Sequence, residues 1–248
     1  MKVSAMRKML LAACVLMMPL LANASEEVAL DHAPVNLDNR ASLQRGAQLF
    51  VNYCLNCHSA HYMRYNRLRD IGLSEEQIKQ NLLFTADKVG ETMQVAMQSK
   101  EAKAWFGAAP PDLSVEARAR SADWLYSYLR GFYRDDTRPT GWNNTVYDKV
   151  AMPHALWQLQ GEQVLKVQDV NDERGHQVKT HQLVLAKPGM LSPAQYDAAV
   201  ADLVNYLVFM GEPAQTQRLR LGLIVLLFLG VLFVLAYYLK KEYWKDVH

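Results

Sequence analysis

From position 39 the chain repeats apolar residues at intervals of three and four, with Leu43, Ala47, Phe50 and Val51 in register. That period puts them on one helical face and predicts a helix over residues 39–57. Gly46 lies inside it, where glycine costs about 1 kcal/mol against alanine, so a close helix crossing is expected there. Ser74 followed by Glu75, Glu76 and Gln77 predicts a second helix, as N-cap and first turn. Met93 and Met97, four residues apart, predict a third, and the aromatic-rich stretch 121–133 a fourth. Ser192 and Pro193 open a last soluble helix as N-cap and first position. It runs to Met210 with Ala199, Leu203, Tyr206, Leu207 and Met210 along one face, and Gly211-Glu212-Pro213 ends it.

Between these helices the pattern changes. Consecutive prolines make 108–114 an irregular loop. Few periodic signals mark 135–152, which Pro139, Gly141, Asn143 and Asn144 assign to loop. Alternating runs at 164–167 and 182–185 flank a polar turn at 171–175 and predict a small solvent-facing hairpin.

The two ends of the chain are strongly apolar. Lys2, Arg7 and Lys8 lead into the run 9–21, and Ala22-Asn23-Ala24 follows, the pattern of a secretory signal over residues 1–24. Residues 221–239 form 19 positions without a charge, about 28 Å of helix, which matches one hydrocarbon core. Tyr237, Tyr238, Tyr243 and Trp244 rim one end, with Lys240, Lys241 and Lys245 beside them. The expected organisation is a signal peptide at 1–24, an exported domain at 25–217, a transmembrane helix at 218–240 and a short cytoplasmic tail at 241–248. This topology places the domain on the outer, periplasmic face of a bacterial inner membrane.

Charge excludes one class of function. The segment 25–217 holds 19 basic and 23 acidic residues, so a basic nucleic-acid surface is not expected. Cysteine usage then points to chemistry. Cys14 falls within the signal, which leaves the mature chain only Cys54 and Cys57. In C-L-N-C-H the two thiols stand about one helical turn apart, placed to add across the two vinyl groups of a haem, and His58 offers its imidazole to the iron. A thioredoxin-like dithiol would need a strand-to-helix junction rather than an amphipathic helix before it. A zinc site would need two further ligands at regular spacing, and the sequence has no second cysteine pair.

A sixth iron ligand separates an electron carrier from an oxygen- or peroxide-reactive site. Met63 is too near His58 to reach the opposite haem face, and Met93, Met97 and Met210 fit helix packing. Spacing alone leaves Met152, in V-A-M-P-H, and Met190, in K-P-G-M-L, as near equals. His154 and His181 are the bis-histidine alternatives.

These blocks occur in a telling order: C-L-N-C-H-S with Tyr62, Tyr65 and Arg67, then G-A-A-P-P-D-L-S at 107–114, Arg118-Ala119-Arg120, V-A-M-P at 150–153, and the C-terminal anchor. In this the chain resembles the cytochrome c1 family over essentially its whole mature length. The resemblance implies a mainly α, cytochrome c-type haem domain with a small β-hairpin and one C-terminal transmembrane helix. It implies one covalent haem c with Met152 as the axial methionine and Met190 left to packing. Pro110 and Pro111 would lie against the haem, and Arg120 would pair with a haem propionate. It further implies electron transfer from a Rieske iron–sulfur protein to a cytochrome c, beside cytochrome b, in a dimeric ubiquinol–cytochrome c reductase. The chain itself would be an electron-carrying subunit rather than a catalyst. Against mitochondrial members the stretch from His58 to 107–114 is shorter, and acidic docking segments are sparse.

Overall fold

A computed structural model describes residues 29–171 and 177–245. The expected signal peptide, the turn beyond Asn171 and the last three residues of the tail lie outside the described residues. The chain divides at Leu30, and the elements below all belong to the unit Asp31–His248.

Helix α1 (Arg40–Leu49) starts where the Asn39 side chain accepts a bond from Ser42 N, and it continues into a π-helical turn at Phe50–Cys54. Its buried face carries Leu43, Ala47, Phe50 and Val51, as the period predicts. Strand β1 (Ala60–Arg64) and a 3₁₀ helix (Tyr65–Ile71) follow. Helix α2 (Glu75–Asn81) is closed by a reciprocal capping box between Ser74 and Gln77. Strand β2 (Thr92–Met93), α3 (Ser99–Phe106), α4 (Glu116–Arg120) and α5 (Ala122–Arg130) come next. After them come β3 (Phe132–Arg134), β4 (Trp142–Asn144), α6 (Trp157–Gln160), β5 (Gly161–Asn171), β6 (Gln177–Pro188), α7 (Pro193–Gly211) and α8 (Gln215–Tyr243). The architecture is mainly helical, with three antiparallel strand pairs, β1–β2, β3–β4 and β5–β6.

The organising contact is the crossing of α1 over α7. A Cβ on Gly46 would sit 2.0 Å from the Asp202 carbonyl oxygen, so the two backbones touch only because position 46 has no side chain. Arg45 braces the crossing through its Nε to Asp202, 2.6 Å. Buried Asn205 ties it to the preceding loop by bonding the Asn36 carbonyl at 2.8 Å and Ser42 Oγ at 3.0 Å. Phe50 and Tyr206 pack with ring centroids 5.6 Å apart. The predicted face of α7 is buried from Leu203 through Met210, and Tyr196, Val200 and Val204 extend it.

Four predictions are corrected. Met93 and Met97 do not share a helix: Met93 pairs with Ala60 across β1–β2 and Met97 lies in the following loop. The β1 backbone needs a partner for its N–H and C=O groups, and that demand overrides a four-residue coincidence of methionines. The helix expected over 121–133 ends at Arg130, and Phe132–Arg134 becomes a strand. Gly131 caps the helix end, its N–H donating to the Tyr128 carbonyl at 3.1 Å, and a Cβ there would lie 2.6 Å from Thr145 Oγ1. Residues 135–152 are not all loop, since Trp142, Asn143 and Asn144 are buried and form β4. Asn144 Nδ2 donates to the Tyr128 carbonyl at 2.8 Å, so a residue read as a turn marker is an internal tie. The hairpin is larger than expected, with arms of 11 and 12 residues paired from Gly161↔Pro188 to Asn171↔Gln177 and a one-residue register shift between Glu162 and Gln163.

Candidate haem-binding site

The π-turn at the end of α1 widens the helix and rotates the chain at Cys54. Cys57 N and His58 N then both donate to the Cys54 carbonyl, at 3.0 and 2.8 Å, which gathers the two thiols and the imidazole on one tight turn. Burial, helped by the neighbouring Cys57, pushes the Cys54 thiol up to about 12, and burial raises Cys57 as well.

His58 is buried, and its Nδ1 donates to the Pro111 carbonyl at 2.7 Å. That carbonyl can only accept, so Nδ1 holds the proton and Nε2 keeps its lone pair. Burial pushes the imidazole pKa down, against the opposing pull of Pro111, Glu116 and Asp112. Pro111 supplies its carbonyl while Pro110 is half-buried beside it. The loop carrying them is tied down residue by residue. Asp112 accepts from His61 N and Ser114 N, each at 2.8 Å, and from His61 Nδ1. Leu113 N donates to the Ser59 carbonyl at 2.9 Å, and Tyr62 N to Ser114 Oγ at 3.0 Å. Burial would raise the Asp112 carboxyl, but the bonds from Ser114 and His61 outweigh it and hold it below the usual carboxylate range.

A second group of side chains surrounds Met152. Tyr128 Oη donates to Met152 Sδ at 3.4 Å, and burial pushes the Tyr128 phenol far up, so it stays a donor. Trp124 stacks on Tyr128 at 4.7 Å, and the Arg120 guanidinium lies 4.6 Å above Trp124. Arg120 Nε is paired to Glu116 at 2.8 Å, and Glu116 is one of the charges acting on His58. Ser121 makes this possible: at φ +92° it turns the chain sharply between α4 and α5, and its hydroxyl caps α5 at Trp124 N. Such a φ favours glycine, so strain is stored where Arg120 and Trp124 are aimed.

His154, two residues past Met152, is enclosed between Phe132, stacked at 4.8 Å, and the edge of Trp142, at 5.1 Å. Burial pushes its pKa down to about 4, so it is neutral at physiological pH. The enclosed ring stands two residues past Met152, and its buried Nε2 has no hydrogen-bond partner among the described residues. The side chain of His181 lies outside the described residues. Met190 is 78% exposed, so the packing role expected for it is corrected. It follows Pro188-Gly189, where the chain leaves β6 and turns outward.

The structure thus brings together Cys54, Cys57 and His58 on one turn with the Pro111 carbonyl against it, and Arg120, Trp124, Tyr128 and Met152 in one column. Glu116 joins the two. Tyr128, Trp124, Glu116 and Asp112 escape sequence reading; the spacing of four between residues 116, 120, 124 and 128 is the signal that could have found three of them.

Two thiols able to bond vinyl carbons, a free Nε2, a thioether and a nearby guanidinium fit a c-type haem. No group of three His, Cys, Asp or Glu side chains able to hold a metal ion occurs among the described residues. Fold and site together define a c-type cytochrome domain followed by a helix of membrane-spanning length.

Comparisons with known proteins narrow the class. The cytochrome C1 family model matches residues 32–247. A cytochrome c1 from Allochromatium vinosum is 50% identical across 98% of this chain and all of its own length. A Nitrosomonas europaea protein, named as an ammonia monooxygenase gamma subunit, is 53% identical over 98% of this chain and 99% of its own. Rhodospirillum rubrum cytochrome c1 is 31% identical over 84% of this chain and 83% of its own. The chain belongs to the cytochrome c1 family, whose members are haem subunits of the bc1 complex.

Proposed function

We propose that this chain carries one haem c, bonded through Cys54 and Cys57 and ligated by His58 and Met152. In this reading it takes electrons from a Rieske iron–sulfur protein and passes them to a cytochrome c. The bond from His58 Nδ1 to Pro111 carries the proposal, because it aims the imidazole lone pair outward directly after two thiols. The iron would supply one-electron chemistry at a potential raised by a methionine ligand.

The residues of this chain then do the rest. Pro111 fixes the His58 tautomer, and Pro110 lies against the ring. Tyr128 orients the Met152 sulfur, and Arg120 balances a propionate charge. No substrate bond is made or broken in this site. Cytochrome b and the Rieske protein are the membrane partners, in a dimeric complex. The domain, 25–217, stands on the periplasmic face of a bacterial inner membrane after loss of residues 1–24, with 218–240 spanning and 241–248 inside.

The name of the Nitrosomonas relative raises a second reading, a haem open to oxygen. The sulfur of Met152, already held by Tyr128, favours a closed iron instead. Two measurements decide. The reduced, unmutated protein should not bind carbon monoxide, whereas Met152→Ala should bind it and lose the methionine-to-iron charge-transfer band. Ready binding by the unmutated protein would end the carrier reading. Affinity purification of the full chain should retain a cytochrome b and a Rieske protein; their consistent absence would end the assignment of partners.

A further inference from the structure

Where the haem domain meets α8 the chain folds a cavity of about 330 Å³ that electron transfer does not use. Its apolar lining includes Leu43, Ile71 and Phe209, and Arg40, Arg67 and Arg220 stand around it. Two carboxylates answer part of that charge: Arg67 pairs with Asp70 at 2.8 Å, and Arg220 faces Asp38 at 3.9 Å. Arg40 has no carboxylate partner among the described residues, and its side chain runs along Gly72 into the same space. Three guanidiniums against two carboxylates leave one positive charge beside the apolar side chains of Leu43, Ile71 and Phe209.

Position says what chemistry the cavity meets. Arg220 directly precedes the uncharged run 221–239, so the cavity opens at the depth where hydrocarbon gives way to headgroups. Thr216 and Gln217, in the first turn of α8, form part of its wall. A cationic recess over apolar side chains, at the mouth of a membrane helix, matches an amphiphile with an anionic head.

We propose that this cavity binds the phosphate of an anionic membrane phospholipid, with the guanidinium of Arg40 as its main ligand and the acyl chains lying along α8. A guanidinium donates two parallel N–H bonds to phosphate oxygens, and the lipid would supply the negative charge that Arg40 lacks. The inference rests on reading α8 as a membrane anchor and not on the haem assignment.

Native mass spectrometry of the full-length holoprotein in mild detergent tests it, with phosphatidylglycerol, phosphatidylcholine or inorganic phosphate added. Phosphatidylglycerol should bind at one site per chain. Arg40→Gln should weaken it about tenfold, and Arg40→Lys, which keeps the charge but not the fork, should fall between. Asp38→Asn removes an opposing carboxylate and should tighten binding, a gain that misfolding cannot mimic. Lys241→Gln, at the other end of α8, controls for diffuse charge and should change nothing. Four outcomes would overturn the proposal: unchanged affinity in Arg40→Gln, equal affinity for phosphatidylcholine, inorganic phosphate bound as tightly as lipid, or loss of the lipid once cytochrome b is present, which would assign the cavity to a protein contact. If α8 were not a membrane anchor, the wild-type chain would extract without detergent. That result is distinct from each of these.

Discussion

Asp112 shows how much a single residue can hold. Its carboxylate joins the Pro111 loop to the segment just after the haem motif, through His61 and Ser114. Because its pKa lies below the unfolded value of about 3.9, its contribution is fully present above that value and disappears as pH falls through the lower folded value. The Asp112→Asn holoprotein should therefore unfold at lower denaturant than wild type at neutral pH. The gap should close on acidification below about pH 4; a gap that widened there would refute the role. The other site residues differ in how legible they were. Cys54, Cys57 and His58 stand out because covalent attachment demands them within five consecutive positions. Met152 could not be told from Met190 by spacing, since its partner Tyr128 comes from another helix and its own segment has no period. The resemblance, not the pattern, singled it out.

At the scale of elements, Gly46 governs the seam between α1 and α7. Gly46→Ala gains about 1 kcal/mol of helix propensity, yet its Cβ must displace the backbone carbonyl of Asp202. Overpacking against backbone costs about 1–3 kcal/mol or more, so the clash wins. Denaturant unfolding should show a net loss of about 1–2 kcal/mol, and a stabilised variant would refute the close contact. The β5–β6 hairpin should behave in the opposite way. Beyond Leu165 the described side chains of β5 are exposed, so joining Lys166 to Gln182 with a short Asn-Gly turn should alter stability by under about 0.5 kcal/mol and leave the haem spectrum unchanged. Helices with caps and a period were legible in advance. Strands β2, β3 and β4 were not, because two or three residues carry no measurable alternation and take their shape from tertiary partners.

Over the whole molecule, core and anchor are separable. No residue of α8 is buried, so a chain exported behind a bacterial secretory leader and ending at Ala214 should be a soluble haem protein. Its spectrum and unfolding midpoint should match those of the full chain, and a domain that failed to fold would show that α8 supports the core. The same layout affects the order of events during synthesis. Arg45 and Asp202 pair across 157 positions of chain, so on the proposed topology the seam at Gly46 would close only after nearly the whole domain had been exported. Until then the cysteine pair would stand on a segment that α7 has not yet clamped. On that reading the late arrival of α7 would give prosthetic-group insertion a time window that ends as the proposed anchor enters the bilayer.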